Sequence, residues 1–243
     1  MALRLVQVNF KAQDDASLGK FWADALGWGR SSEAPGVTNV EPAGAQWPDV
    51  SVGIDVVSVP DPATVKYRAH LELATTSATH HAGLVAHLLA VGGTLAARGF
   101  DTDTTAMNDP DGNPFFVRGP RSTHQDTGPI AAVVIACADP AALALFWATA
   151  INWNVDEASA DRICLRSPAG VGPSLEFARM PDPGATPTRM HLDLRPYPSD
   201  DQSAEVARLH GLGAVDVDLG QGDVSWAVLA DPEGNDFCVL APG

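Results

Sequence analysis

The chain has 243 residues, enough for two domains of about 120 that need no disulfide or metal staple to fold. Thirty acidic residues against fifteen basic ones give a formal charge of −15, which repels phosphate backbones and anionic lipid and so argues against nucleic acid or a membrane surface as partner. Forty-five per cent hydrophobic content, three scattered cysteines, a start without a signal-peptide core and no apolar run of membrane-spanning length describe a globular protein expected in the cytoplasm.

Taken in chain order, the first clear element is the stretch from Asp14 to Trp28, which carries Phe21-Trp22 and ends in Gly27-Trp28. Next comes His70-Leu71-Glu72-Leu73, a strand whose leucines face a helix while His70 and Glu72 face the other way. Ser77–Val91 is predicted as a helix stopped by Gly92-Gly93, and Asp109-Pro110-Asp111-Gly112-Asn113 is a tight turn before a last strand. The polar stretch from Arg118 to Pro129 reads as a linker.

The second half then repeats the first. Ile130–Ala138 is a buried strand by length and β-branching, and Asp139-Pro140 opens an amphipathic helix with Leu143, Phe146, Trp147, Ala150 and Ile151 on one stripe. Strands follow at Arg162–Arg166 and Ser174–Met180, with a proline-rich break from Pro181 to Pro187. His191–Arg195 is a strand, Ser199–Leu212 a helix ended by Gly213, and Val215–Leu219, Ser225–Leu229 and Phe237–Leu240 are the closing strands. Phe21 recurs as Phe146 at an offset of 125, His70 as His191 at 121, and Asp109 as Asp231 at 122. These near-constant offsets predict a duplication, with domains at 1–120 and 129–243. Each half divides again, so the fold class is α+β with four strand-helix-strand-strand-strand (βαβββ) modules.

One such module has a single helix for one sheet face, so its other face must meet a second module and enclose a cleft. The Phe-Trp of each first helix, the His-Leu-Glu/Asp-Leu strands and the Asp-Pro-Asp/Glu-Gly-Asn turns together resemble the vicinal oxygen chelate superfamily, which includes glyoxalase I, extradiol dioxygenases and bleomycin-resistance proteins. The resemblance covers nearly the whole chain and implies two tandem glyoxalase-like domains.

In metal-dependent members of that superfamily, four cleft-facing strand positions supply the ligands. Carried over, the first half offers Gln7, Asp55, His70 and Phe116, and the second Ala132, Glu176, His191 and Cys238. Neither list is intact, because phenylalanine and alanine coordinate nothing. If modules pair within a half, Glu176, His191 and Cys238 are the set. If they pair across halves, Gln7, Asp55, His191 and Cys238 converge, a mixed donor set suited to Zn²⁺, and the other cleft is dead for metal. The bland reading of each histidine is a hydrogen-bonded structural residue, and of Cys238 a buried inert thiol.

The expected site also takes in Glu176 and Asp193 as catalytic carboxylates, and His191, Arg195, His70, Glu72, Trp47 and Trp226 as ligand contacts. No nucleotide loop, nucleophile elbow or Cys-x-x-Cys is present. Two functions stay open. One is a small-molecule binding protein that is metal-free or atypical in metal ligation. The other is a divalent-metal-dependent lyase or isomerase acting on a substrate with vicinal oxygens. With four modules in one chain, a monomer is expected.

Overall fold

The computed structural model describes residues 3–32, 34–42, 52–62, 67–96, 103–124, 126–181 and 188–243. The four predicted modules are all there. The first is β1 (Arg4–Ala12), α1 (Asp15–Leu26), β2 (Gly29–Ser31), β3 (Val37–Glu41) and β4 (Gly53–Ser58). The second is β5 (Ala69–Leu73), α2 (Ala78–Ala90), β6 (Thr94–Leu95), β7 (Thr104–Asn108) and β8 (Pro114–Arg118). After a turn of 3-10 helix at Ser122–His124, the third comprises β9 (Ile130–Cys137), α3 (Pro140–Ile151), β10 (Asn154–Ala158), β11 (Arg162–Arg166) and β12 (Ser174–Arg179). The fourth is β13 (Met190–Arg195), α4 (Gln202–Leu212), β14 (Val215–Asp216), β15 (Ala227–Ala230) and β16 (Asp236–Val239).

The helices are bounded as capping chemistry dictates. Asp14, Ser77, Asp139 and Asp201 each accept a backbone N–H of the first turn, and Pro140 stands at the start of α3. Left-handed residues close α1 at Gly27 (φ 67°) and α3 at Asn152 (φ 55°), the two positions where the duplicated sequence shows Gly and Asn. Asp201 as cap moves the start of α4 three residues beyond the predicted Ser199. The strands β14 and β15 are shorter than predicted, and β10 had no signal. All five residues of β10 are exposed, so no buried face imposed an alternation on Asn-Val-Asp-Glu-Ala.

The modules pair across the halves. One eight-stranded sheet has the order β14-β15-β16-β13-β1-β4-β3-β2, joining modules four and one; the other has β10-β11-β12-β9-β5-β8-β7-β6, joining three and two. The seams are antiparallel: β1 on β13, with Asn9 opposite His191, and β5 on β9, with His70 opposite Val134. Helix α1 packs on β3 and β4, α2 on β6 and β8, and α3 on β11 and β12.

Aromatic side chains join the modules within each half. Trp22 on α1 meets Phe115 on β8 edge-on at 5.2 Å, and Trp147 on α3 meets Phe237 on β16 at 5.1 Å. The indole N–H of Trp22 donates to Asp109 (3.3 Å) and that of Trp147 to Asp231 (3.0 Å), the first residues of the two Asp-Pro-x-Gly-Asn turns. In each turn the same aspartate accepts from the backbone and side chain of the asparagine four residues on, and the glycine takes φ near 80°. The second residue of the turn after proline reaches further: Glu233 accepts the N–H groups of Ala138 and Asp139 and pairs with Arg68, while Asp111 accepts from Gln13 and lies 3.8 Å from Arg189. These turns are structural, as their sequence predicts.

Replacing Asp231 by alanine strands the buried indole N–H of Trp147 and the Asn235 amide. Asp231→Ala is expected to cost about 2–4 kcal/mol and to lower Tm by roughly 5–15 °C in a circular-dichroism melt.

Candidate functional site

On the face of the first sheet opposite its helices, alternation sets a row of polar side chains. Val8, Phe10, Ile54, Val56, Leu192, Leu194, Phe237 and Val239 are buried in the core, which turns Gln7, Asn9, Asp55, His191, Asp193 and Cys238 to the other face. Asn39 on β3 pairs with Asp55, Asp55 with Asn9, and Asn9 with His191, forming one rank across four strands. Gln7, Asp193 and Cys238 form the next.

The centre of this face is His191. Its Nε2 lies 3.3 Å from Asp193 Oδ1 and 3.5 Å from Cys238 Sγ. The three ligand-type atoms all lie within 4.8 Å of one another. Burial opposes a charged imidazole here, but the Asp193 carboxylate and the Cys238 sulfur outweigh it, and the pKa of His191 is pushed up to about 10. Burial raises the Cys238 thiol, with His191 pulling against it. The His191 contact does not align as a hydrogen bond to Asp193 Oδ1, so that buried oxygen has no hydrogen-bond partner, nor has His191 Nδ1.

That donor set passes the test for a divalent ion. An orphaned buried carboxylate oxygen, an imidazole nitrogen and a sulfur converge at the separations an ion can gather, and N, O and S together suit Zn²⁺. The set differs from the expected one. Of the two alternatives, cross-half pairing holds and the within-half set fails: Glu176 belongs to the other sheet, whereas His191 and Cys238 share the first. Asp193, expected as a catalytic carboxylate, takes the place foreseen for Asp55. Asp55 sits two strands away from His191 and accepts a 2.7 Å hydrogen bond from Asn39 Nδ2. Gln7 shares the face, opposite Asp193.

The second sheet carries the same positions with different chemistry. Phe116 replaces Cys238, and its ring packs edge-on against His70 at 4.7 Å. Glu72, the counterpart of Asp193, is 3% exposed and held by Arg118 Nε (2.9 Å) and Arg162 Nη2 (3.1 Å), with His70 at 3.7 Å. Arg162 also pairs through Nε with Glu176, which accepts from Ser174 as well. Burial works against ionisation of Glu72, but His70, Arg162 and Arg118 prevail and bring its pKa down to about 2. Two guanidinium groups thus fill the place where an ion would sit, and Glu176, His70 and Glu72 serve this network rather than catalysis or ligand contact.

Among the remaining expected contacts, Arg195 stands on the first face opposite Arg4, its guanidinium against Gly243. Trp226 is 40% exposed, two residues before Val228, which pairs with Cys238. Trp47 lies outside the described residues. Asn9 and Asn39 were missed; each lies on a strand where reading every second residue from Gln7 or from Asp55's partner leads to it.

Two facing sheets, each made by modules from both halves and with one competent polar face, define the vicinal oxygen chelate class. The glyoxalase-like domain model matches residues 7–118 and 132–240, and the chain belongs to that family. Its fold is similar to that of glyoxalase I from Zea mays (14% identity, 99% of this chain and 92% of that one, TM-score 0.65). It is also similar to a putative dioxygenase from Bacillus subtilis (11% identity, 99% and 85%, TM-score 0.64). No curated protein matches the chain in sequence. No helix among the described residues is long and apolar enough to cross a membrane.

The Glu72 network has a pH signature. A carboxylate whose pKa is depressed on folding contributes stability above its unfolded value near 4.5 and loses it as pH falls towards 2, here on the order of 3 kcal/mol. Glu72→Gln is expected to be less stable than wild type at pH 7 by about 3–5 kcal/mol, since two guanidinium groups lose their partner. In urea unfolding followed against pH, that gap should narrow between pH 5 and 2.

Proposed function

We propose that this protein binds a small molecule on the polar face of its first sheet, at an atypical divalent metal centre held by His191, Asp193 and Cys238. The observation that carries the reading is the convergence of those three donors around a buried carboxylate oxygen that nothing else satisfies. Zn²⁺ is the ion the donors favour. When bound it would act as a Lewis acid on two neighbouring oxygens of a substrate.

The chain's own contribution is to hold the donors and to provide a base. Asp55, steered by the Asn39 amide, is the carboxylate left to accept a proton, which supports a lyase or isomerase step. The second cleft has no part in it. A metal-free binding function is the second reading, favoured by the fact that the imidazolium of His191 already bridges Asp193 and Cys238. Because one chain supplies both sheets, we expect it to act as a monomer, checked by sedimentation at micromolar concentration.

Elemental analysis before and after dialysis against chelator decides between the readings. About one zinc per chain, lost in His191→Ala and bound at least roughly tenfold more weakly in Cys238→Ala, is the expected result. Zinc-free protein with no thermal shift on adding metal would leave the metal-free reading. At pH 7 the imidazolium and the thiol must both deprotonate to ligate, so zinc uptake should release about two protons per ion, read by calorimetry in buffers of different ionisation heat.

A further inference from the structure

Two amides on the first face lack a partner that burial requires. Asn9 is 8% exposed and Asn39 5%, and the Oδ1 of each is buried without a hydrogen bond. In Asn39 the orientation is fixed, because its Nδ2 donates to Asp55 Oδ1 at 2.7 Å and leaves the carbonyl oxygen open. The two asparagines flank Asp55 on neighbouring strands, in the same rank that ends at His191. An unpaired buried carbonyl is costly, so positions with no other duty rarely keep one.

The duplicated sheet is an internal control. Asn39 opposite Asp55 corresponds to Cys164 opposite Glu176, and Asn9 between Asp55 and His191 corresponds to Val134 between Glu176 and His70. The same backbone therefore forms at these positions with valine and cysteine. The amides are not needed by the sheet, and they occur only in the cleft that also keeps its metal-type donors.

We infer that Asn9 and Asn39, with Asp55 between them, form a row of acceptors that reads hydrogen-bond donors on the ligand. The ligand class is neutral or cationic, bearing hydroxyl, amine or amide N–H groups beyond the part held at His191. A second carboxylate or a phosphate is selected against, since the row offers it only oxygens. This rests on the reading of the first face as the metal-bearing site and adds the chemistry of the ligand's far end.

The experiment uses hydroxamates, whose paired oxygens chelate zinc alike. The zinc-loaded protein is titrated calorimetrically with acetohydroxamate, 3-hydroxypropionohydroxamate, 3-aminopropionohydroxamate and succinic monohydroxamate. The hydroxyl and amino probes are expected to bind about tenfold more tightly than the carboxylate probe, the yield of one good hydrogen bond. Asn9→Val and Asn39→Cys, which copy the second sheet, should erase that preference while acetohydroxamate binds as before. The same variants should melt no lower than wild type, because each removes an unsatisfied buried oxygen.

Equal or tighter binding of the carboxylate probe, or a preference that survives the double variant, overturns the inference. A clear fall in Tm of either variant also overturns it, by showing the amide to be structural. Failure to take up zinc or to bind acetohydroxamate counts against the metal centre instead. The acceptor row is then judged by the melts.

Discussion

Everything at the site depends on the antiparallel seam between β1 and β13. These strands come from opposite halves of the chain, yet they place Asn9 beside His191 and Gln7 beside Asp193. No local propensity brings them together. The seam exists because each module, having covered one sheet face with its helix, leaves its first strand unpaired on one side, and the other half offers a strand in the same state. Within each half a different force acts: Trp22 against Phe115 and Trp147 against Phe237 join the modules through the core. Every module thus has one partner through hydrogen-bonded strands and another through packed rings, and the polar face sits on the first kind of joint.

On that shared scaffold a few side chains separate the two sheets. Cys238 and Phe116 occupy one position, Asn9 and Val134 another, Asn39 and Cys164 a third. Each change moves the second sheet away from ligation and towards packing or internal pairing. Arg118 and Arg162 complete it, because they turn a buried carboxylate into a satisfied one. The duplication therefore divides two tasks that one cleft would have to share.

The fold was legible in the sequence because its signals are either periodic or doubled. The stripe of Leu143, Phe146 and Trp147 marks a helix, and the offset between Asp109 and Asp231 marks the repeat, both independent of tertiary context. The site was half legible. His191 and Cys238 follow from alternation, but which modules meet is a property of two distant edges, so the sequence left within-half and cross-half pairing open. The substitution of Asp193 for Asp55 had a subtler origin. Asp193 and Cys238 are adjacent in register, whereas Asp55 lies two strands from His191, and that distance appears only once the parallel pairing of β13 with β16 is known. The exposed strand β10 was invisible because solvent on both sides imposes no pattern.

The two sheets answer one physical problem in opposite ways. Each buries an acidic residue beside a histidine, Glu72 beside His70 and Asp193 beside His191, and a buried carboxylate needs compensation. Around Glu72 the compensation is complete: two guanidinium groups and an imidazole surround it, and its charge is fixed across the physiological range. Around Asp193 it is partial, with one imidazolium, one oxygen left without a hydrogen bond and a thiol that burial keeps protonated. A satisfied network gains nothing from a further cation, whereas an incompletely satisfied one gains both charge neutralisation and ligation. Binding capacity therefore resides in the first sheet because its buried charges were left unfinished, and the rigid second sheet supplies the stability that makes such a deficit tolerable.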